Sequence, residues 1–237
     1  MKFQAVVTLS LTAIATATEF TFERLDKNNA ALLVVDHQLG LSSLVRDFSV
    51  VEFRNSILAH AALGNLFGLP TILTSSAQTG PNGQIPKEII EMHPAAPFIK
   101  RNGEVDAWDN ADFRAAVEAT NKTQIILAGI TTDVCTSFLA LSLREAGYSV
   151  WANTEASGTF NEKLAFDANR KMEQAGVHLL GMFAITMDLM RDWRNTPGTL
   201  EVLPFLDQYL PDYSIVARAH GNAIENGTLV PGEEPLL

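Results

Sequence analysis

Apolar residues in this chain come in short continuous blocks, separated by longer stretches with helical spacing. Ala30-Ala31-Leu32-Leu33-Val34-Val35 is an unbroken apolar run closed by Asp36. Leu69-Pro70-Thr71-Ile72-Leu73-Thr74, Phe98-Ile99-Lys100-Arg101, Gln124-Ile125-Ile126-Leu127-Ala128, Tyr148-Ser149-Val150-Trp151-Ala152 and Val177-His178-Leu179-Leu180 have a similar character. Blocks this short, bounded by polar turns and glycines, read as strands. Between them, residues 50–67, 86–92, 110–120, 162–175 and 184–193 carry helical patterns, as in Ile57, Leu58, Ala61, Ala62 and Leu66. Gly68, Gly147 and Gly176 stand where helices are expected to stop. Strands apolar on both faces and alternating with helices predict a parallel sheet covered on both sides. The fold class is therefore α/β: a three-layer α/β/α sandwich around a six-stranded, mainly parallel, Rossmann-like sheet.

The two ends depart from that pattern. Residues 1–17 hold Lys2, a short apolar run from Ala5 to Ile14, and the small-x-small site Ala15-Thr16-Ala17. That is the pattern of a secretory signal peptide, too short to span a bilayer. The alternative is a frayed extension of a cytoplasmic protein. Residues 18–195 form the expected domain. From Thr196 onward come Pro197, Pro204, Pro211, Pro231 and Pro235 with several glycines. Residues 196–237 are therefore expected to form an extended C-terminal arm, lying on a neighbouring subunit or loosely ordered.

Composition narrows the function. With 237 residues, 47% hydrophobic and 19% charged, the chain is globular and large enough for one sizeable core. A formal net charge of −10 leaves no basic stripe for phosphates, so no nucleic-acid partner is expected, and no membrane partner either. One cysteine excludes an internal disulfide. Asn121-Lys122-Thr123 and Asn226-Gly227-Thr228 are glycosylation sequons, a pattern common by chance.

That cysteine, Cys135, follows Leu127-Ala128-Gly129-Ile130-Thr131-Thr132-Asp133-Val134. An apolar run, a glycine, a polar turn and an amphipathic stretch put it in the first turn of a helix. Free N–H groups and partial positive charge there favour a thiolate nucleophile. A buried inert cysteine is the alternative reading of the same position. In open α/β sheets the active site lies at the carboxyl ends of the strands. This rule gathers Asp36, the pair Lys100 and Arg101, and Cys135 at one rim.

The chain resembles the cysteine-hydrolase group of the isochorismatase-like superfamily. The resemblance rests on Val34-Val35-Asp36-His37-Gln38, on Ile99-Lys100-Arg101 before Asp106-Ala107-Trp108, and on Ala128 through Cys135. It is nearest the YcaC-type branch through Thr79-Gly80-Pro81-Asn82-Gly83, Ala107-Trp108-Asp109-Asn110, Ala156-Ser157-Gly158-Thr159-Phe160-Asn161-Glu162 and Arg191-Asp192-Trp193-Arg194-Asn195. It covers residues 22–213.

The resemblance implies a triad of Asp36, a basic residue and Cys135. The basic residue is usually lysine in the superfamily and arginine in that branch. Strand alternation separates Lys100 from Arg101, and Arg101 is the choice, with Lys100 as the alternative. Asp36 would act as general base, Cys135 as nucleophile, and the Thr131 and Cys135 N–H groups as the oxyanion hole. The resemblance also implies a cis peptide between Ile130 and Thr131. Gln38 and Trp108 are the candidate substrate-binding residues, with Phe160 a further candidate for the wall.

Nicotinamidases of the superfamily carry a metal site where this chain has Ser75-Ser76-Ala77-Gln78-Thr79-Gly80, without Asp or His. The five histidines show no ligand spacing, so no metal and no other cofactor is expected. The expected activity is hydrolysis of a small-molecule amide or other C–N bond through a thioester. A secreted, non-catalytic binding member of the same fold is the competing reading. Relatives of this type also suggest a homo-oligomer, a ring or octamer.

Overall fold

A computed structural model of the protein describes residues 21–228. The expected signal segment lies outside the described residues. The strands are β1 (Ala30–Val35), β2 (Thr71–Ser76), β3 (Phe98–Arg101), β4 (Gln124–Gly129), β5 (Ser149–Asn153) and β6 (His178–Leu180). They form one six-stranded sheet in the order β3-β2-β1-β4-β5-β6, with every pairing parallel. The chain steps outward from β1 to β3, then returns to the other side of β1 with β4. The switch point of the sheet therefore lies between β1 and β4, where ligands bind in such folds.

The helices are α1 (Leu39–Ser42), α2 (Val50–Phe67), α3 (Lys87–Met92), α4 (Ala111–Glu118), α5 (Ser137–Glu145), α6 (Glu162–Gln174), α7 (Met182–Met190), α8 (Thr199–Tyr209) and α9 (Pro211–Glu225). Strand β1 shows why the run reads as apolar throughout. Ala30, Leu32 and Val34 join the core layer of α2, α7 and α8, whereas Ala31, Leu33 and Val35 join that of α4 and α5. Both faces are dry, as a central parallel strand requires.

Local signals set the ends of α2. Ser49 and Glu52 form a capping box at its start, and Gly68 closes it at φ 65°. Strand β2 begins at Thr71, two residues later than the apolar pattern suggests, and runs to Ser76, level with Arg101.

The C-terminal segment corrects the sequence reading. Thr199–Tyr209 and Pro211–Glu225 are helical, and α8 buries Val202, Phe205, Leu206 and Tyr209 against α2. Pro211 opens α9 where a missing N–H goes unused. Pro204 sits inside α8. There, burial of the apolar face outweighs the lost hydrogen bond. Among the described residues, no helix is long and apolar enough to cross a membrane.

Candidate active site

Three chain segments meet at the carboxyl rim beside the switch point. Strand β1 ends at Val35, which pairs with Thr74 on one side and Gly129 on the other. Asp36 follows at φ 53°, a left-handed conformation uncommon outside glycine. Its N–H still donates to the Thr74 carbonyl at 2.9 Å, so the turn begins anchored to the sheet.

Arg101 is the last residue of β3 and has a fully buried side chain. Its Nη2 meets both Asp36 carboxylate oxygens, at 2.5 Å for Oδ1. Its Nε donates to the Thr74 hydroxyl at 3.0 Å, and its Nη1 donates to the Glu104 carbonyl. The guanidinium is thus held on three sides. Lys100 points the other way, exposed, with Nζ 5.2 Å from the Phe98 ring. Of the two basic candidates, only Arg101 reaches Asp36.

Cys135 lies in a wide π-helical turn, Thr132–Thr136, that leads into α5. Gly129 lets this turn approach β1. A Cβ there would lie 2.5 Å from the Val35 carbonyl oxygen and 3.0 Å from the Thr136 hydroxyl. Cys135 is half-buried, and the Asp36 carboxylate is near enough to its thiol to act on its proton affinity. The Ile130–Thr131 peptide is cis. The Thr131 backbone N–H lies on the Cys135 side of this turn and favours the ionised sulfur.

The electrostatics correct the expectation of a resting thiolate. Burial, followed by the charge of Asp36 and its hydrogen bond, pushes the Cys135 thiol up to about 12. Arg101 and the Thr131 N–H pull the other way without overcoming this. Burial also raises the Asp36 carboxyl above its ordinary value, against the pull of Arg101, the thiol and the Ser76 N–H. The resting pair is a neutral thiol facing a carboxyl with increased proton affinity.

Two residues read from the sequence as substrate contacts have other placements. Gln38 is fully buried. Its Nε2 donates to the carbonyls of Ser76 and Gly83, at 3.0 and 2.5 Å, and its Oε1 accepts from the Ser76 N–H at 2.8 Å. Both ends of its amide are engaged, so it holds the β2 exit rather than lining a cleft. Trp108 packs edge-on against Tyr148 at 5.8 Å, and Tyr148 precedes β5 at the amino end of the sheet. The ring therefore lies in the helix layer. Phe160 is 46% exposed beside the rim segment of Thr159. Thr74 was not singled out from the sequence, because a threonine inside a strand carries no separate signal.

The isochorismatase domain family profile matches residues 30–182. The chain belongs to the isochorismatase family. This family member is 48% identical over 192 residues to probable hydrolase YcaC of Escherichia coli, spanning 81% of this chain and 91% of that relative. It is similar to the solved structure of YcaC from Pseudomonas aeruginosa with hexane-2,5-diol and covalent acrylamide. The two share 48% identity at a TM-score of 0.83, over 86% of this chain and all of that one. A second solved structure, the Escherichia coli YcaC gene product, is described as an octameric hydrolase of unknown specificity. It is 46% identical with a TM-score of 0.83, over 86% of this chain and 98% of that one. Among the described residues, no group of three or more His, Cys, Asp or Glu could hold a metal ion.

Proposed function

We propose that Cys135, Asp36 and Arg101 form the catalytic set of a cysteine hydrolase that cleaves a small amide or other C–N bond through a thioester. That the chain is a hydrolase of the isochorismatase family rests on the family match and on its likeness to probable hydrolase YcaC. The nucleophile and the bond cleaved rest on the site. The observation that carries the reading is the buried Asp36–Arg101 ion pair beside the one thiol of the chain at the switch point.

The chemistry follows from the protonation states. Asp36 takes the Cys135 proton as sulfur attacks the carbonyl carbon, so the thiolate is formed only when it is used. The oxyanion is held by the Thr131 and Cys135 N–H groups, each such donor being worth about 3 kcal/mol. Collapse breaks the C–N bond, and Asp36 returns the proton to the leaving amine. Asp36 then deprotonates a water that adds to the thioester. The acid leaves, and the thiol is restored. Arg101 stays charged and moves no proton, so its part is to orient Asp36 and offset its charge.

A homo-oligomeric assembly also fits, because the similar Escherichia coli protein is described as octameric. Exposed Val50, Val51 and Leu200 supply apolar surface for it. Covalent acrylamide on the Pseudomonas relative makes an adduct trap a natural assay. The deciding experiment screens small amides against wild type and Cys135→Ala, with mass spectrometry for an acyl group on Cys135. Turnover with a trapped adduct in wild type, and neither in a folded Cys135→Ala, is the expected result. Undiminished turnover by Cys135→Ala would overturn the reading.

A further inference from the structure

His37 has no part in the mechanism above, yet it follows Asp36 directly and is wholly buried. Its ring sits edge-on between Phe53 and His60, with centroids 6.3 and 6.0 Å away. Nε2 lies 2.8 Å from the Ala156 carbonyl oxygen. A carbonyl only accepts, so Nε2 carries the hydrogen. Burial holds the imidazole neutral, with its pKa lowered to about 3. Nδ1 is then a bare acceptor, and it has no partner. A phenylalanine would fill this slot without leaving an unpaired polar atom, so the histidine calls for a reason.

The reason lies at the other end of its hydrogen bond. Ala156 opens a loop whose next three residues hold the turn before Cys135. The Ser157 hydroxyl accepts from the Gly129 N–H at 3.4 Å and donates to the Asn153 carbonyl at 2.8 Å. The Gly158 carbonyl accepts from the Thr132 N–H at 3.1 Å, and Gly158 forms a parallel bridge with Ile130. The Thr159 hydroxyl donates to Asp133 at 2.6 Å. The loop cannot slide outward freely. Asp47 accepts the Thr159 N–H at 2.9 and 3.1 Å, and the Arg46 N–H donates to the Thr159 carbonyl at 2.8 Å. Nor can it sink, because a Cβ on Gly158 would lie 2.7 Å from Val45 and 2.8 Å from Phe53.

We propose that His37 is a positioning residue: its hydrogen bond to Ala156 makes the 156–159 loop a strap that fixes Asp36 against the Thr131–Cys135 turn. The inference rests on the cysteine-hydrolase reading. It adds that the distance between base and thiol is set from outside the triad, by the loop that follows β5.

The test compares His37→Phe, which keeps the ring volume and removes the donor, with His37→Gln, which can still donate to Ala156. Two readouts are taken: kcat and KM on the amide found by the screen, and the rate of Cys135 alkylation by iodoacetamide against pH. His37→Phe is expected to lower kcat about 10- to 100-fold with KM within about threefold, the scale of a small misplacement of reacting groups. Its alkylation midpoint moves down, because the Asp36 charge is no longer held close to the sulfur. His37→Gln restores most of both. Wild-type kcat and profile in His37→Phe would overturn the proposal. So would a His37→Gln as impaired as His37→Phe, since ring packing alone would then explain the residue.

Should His37→Phe not fold, Thr159→Val cuts the strap at its other end. It is expected to lose kcat with KM unmoved, and an unchanged kcat would overturn the proposal. Absence of any amide turnover in wild type would count against the hydrolase reading. The alkylation profiles judge the strap independently.

Discussion

The guanidinium of Arg101, at the end of β3, reaches across β2 to meet both carboxylate oxygens of Asp36, and neither side chain keeps any exposed surface. A charged pair taken wholly out of water must be well satisfied. Here Thr74 and the Glu104 carbonyl take up the other faces of the guanidinium. Nη2, Nε and Nη1 each serve a different partner, a spread that a planar guanidinium provides and a point charge does not.

Arg101→Lys is therefore not a conservative change. It cannot hold Asp36, Thr74 and the Glu104 carbonyl at once from three separate nitrogens. We expect kcat/KM to fall by about 10- to 100-fold, read by steady-state kinetics. Arg101→Ala leaves Asp36 buried and unpaired, and urea unfolding should show a loss of about 3–5 kcal/mol. Wild-type kinetics in Arg101→Lys would refute this account of the guanidinium.

Cys135 should behave as a thiol at neutral pH. Its iodoacetamide alkylation, followed by mass spectrometry, is expected to be slow at pH 7 and still rising above the ordinary value of 9.0, toward about 12. Asp36→Asn removes the opposing charge and should bring the midpoint down. A plateau reached below pH 8 in wild type would contradict the buried thiol–carboxylate pair.

Gly129→Ala tests the close approach of β4 to β1. The added Cβ would stand 2.5 Å from the Val35 carbonyl, where only backbone can yield. A stability loss of about 1–3 kcal/mol is expected, with kcat reduced because the Cys135 turn moves off Asp36. Gly221→Ala in α9, with open space around it, is the control and should keep both. Equal behaviour of the two variants would show that this approach does not matter.

The buried histidines make stability pH-dependent. Burial lowers His37 to about 3 and His60 to about 4, from an ordinary 6.5. In this range the unfolded chain binds more protons than the folded one, so stability rises with pH. The contribution is complete above 6.5 and is lost as pH falls toward 4 and 3. Thermal midpoints measured from pH 7 to pH 4 should decline, and the decline should flatten in His60→Gln. An identical slope in that variant would exclude the histidine origin.

Much of the sheet was legible in the chain because central parallel strands are apolar on both faces. Ala30–Val35 shows no other pattern, and nothing but a two-sided core accounts for it. The stop at Gly68 was equally plain, since a glycine after an apolar helix marks the left-handed cap. Helices α8 and α9 were not legible. Their prolines signal breakage locally, while Val202 and Leu206 are held by α2, a long way off in sequence.

At the site the same division holds. The sequence by itself determined that Asp36, Arg101 and Cys135 each close or follow a strand, because strand ends are local and parallel strands all end at one rim. Tertiary structure alone decided which groups surround the Arg101 guanidinium, that Gln38 clamps Ser76, and that burial raises the Cys135 thiol. Those outcomes depend on which groups surround a side chain once water is gone. Desolvation and neighbouring charge are properties of the packed interior, and no local stretch of sequence contains them.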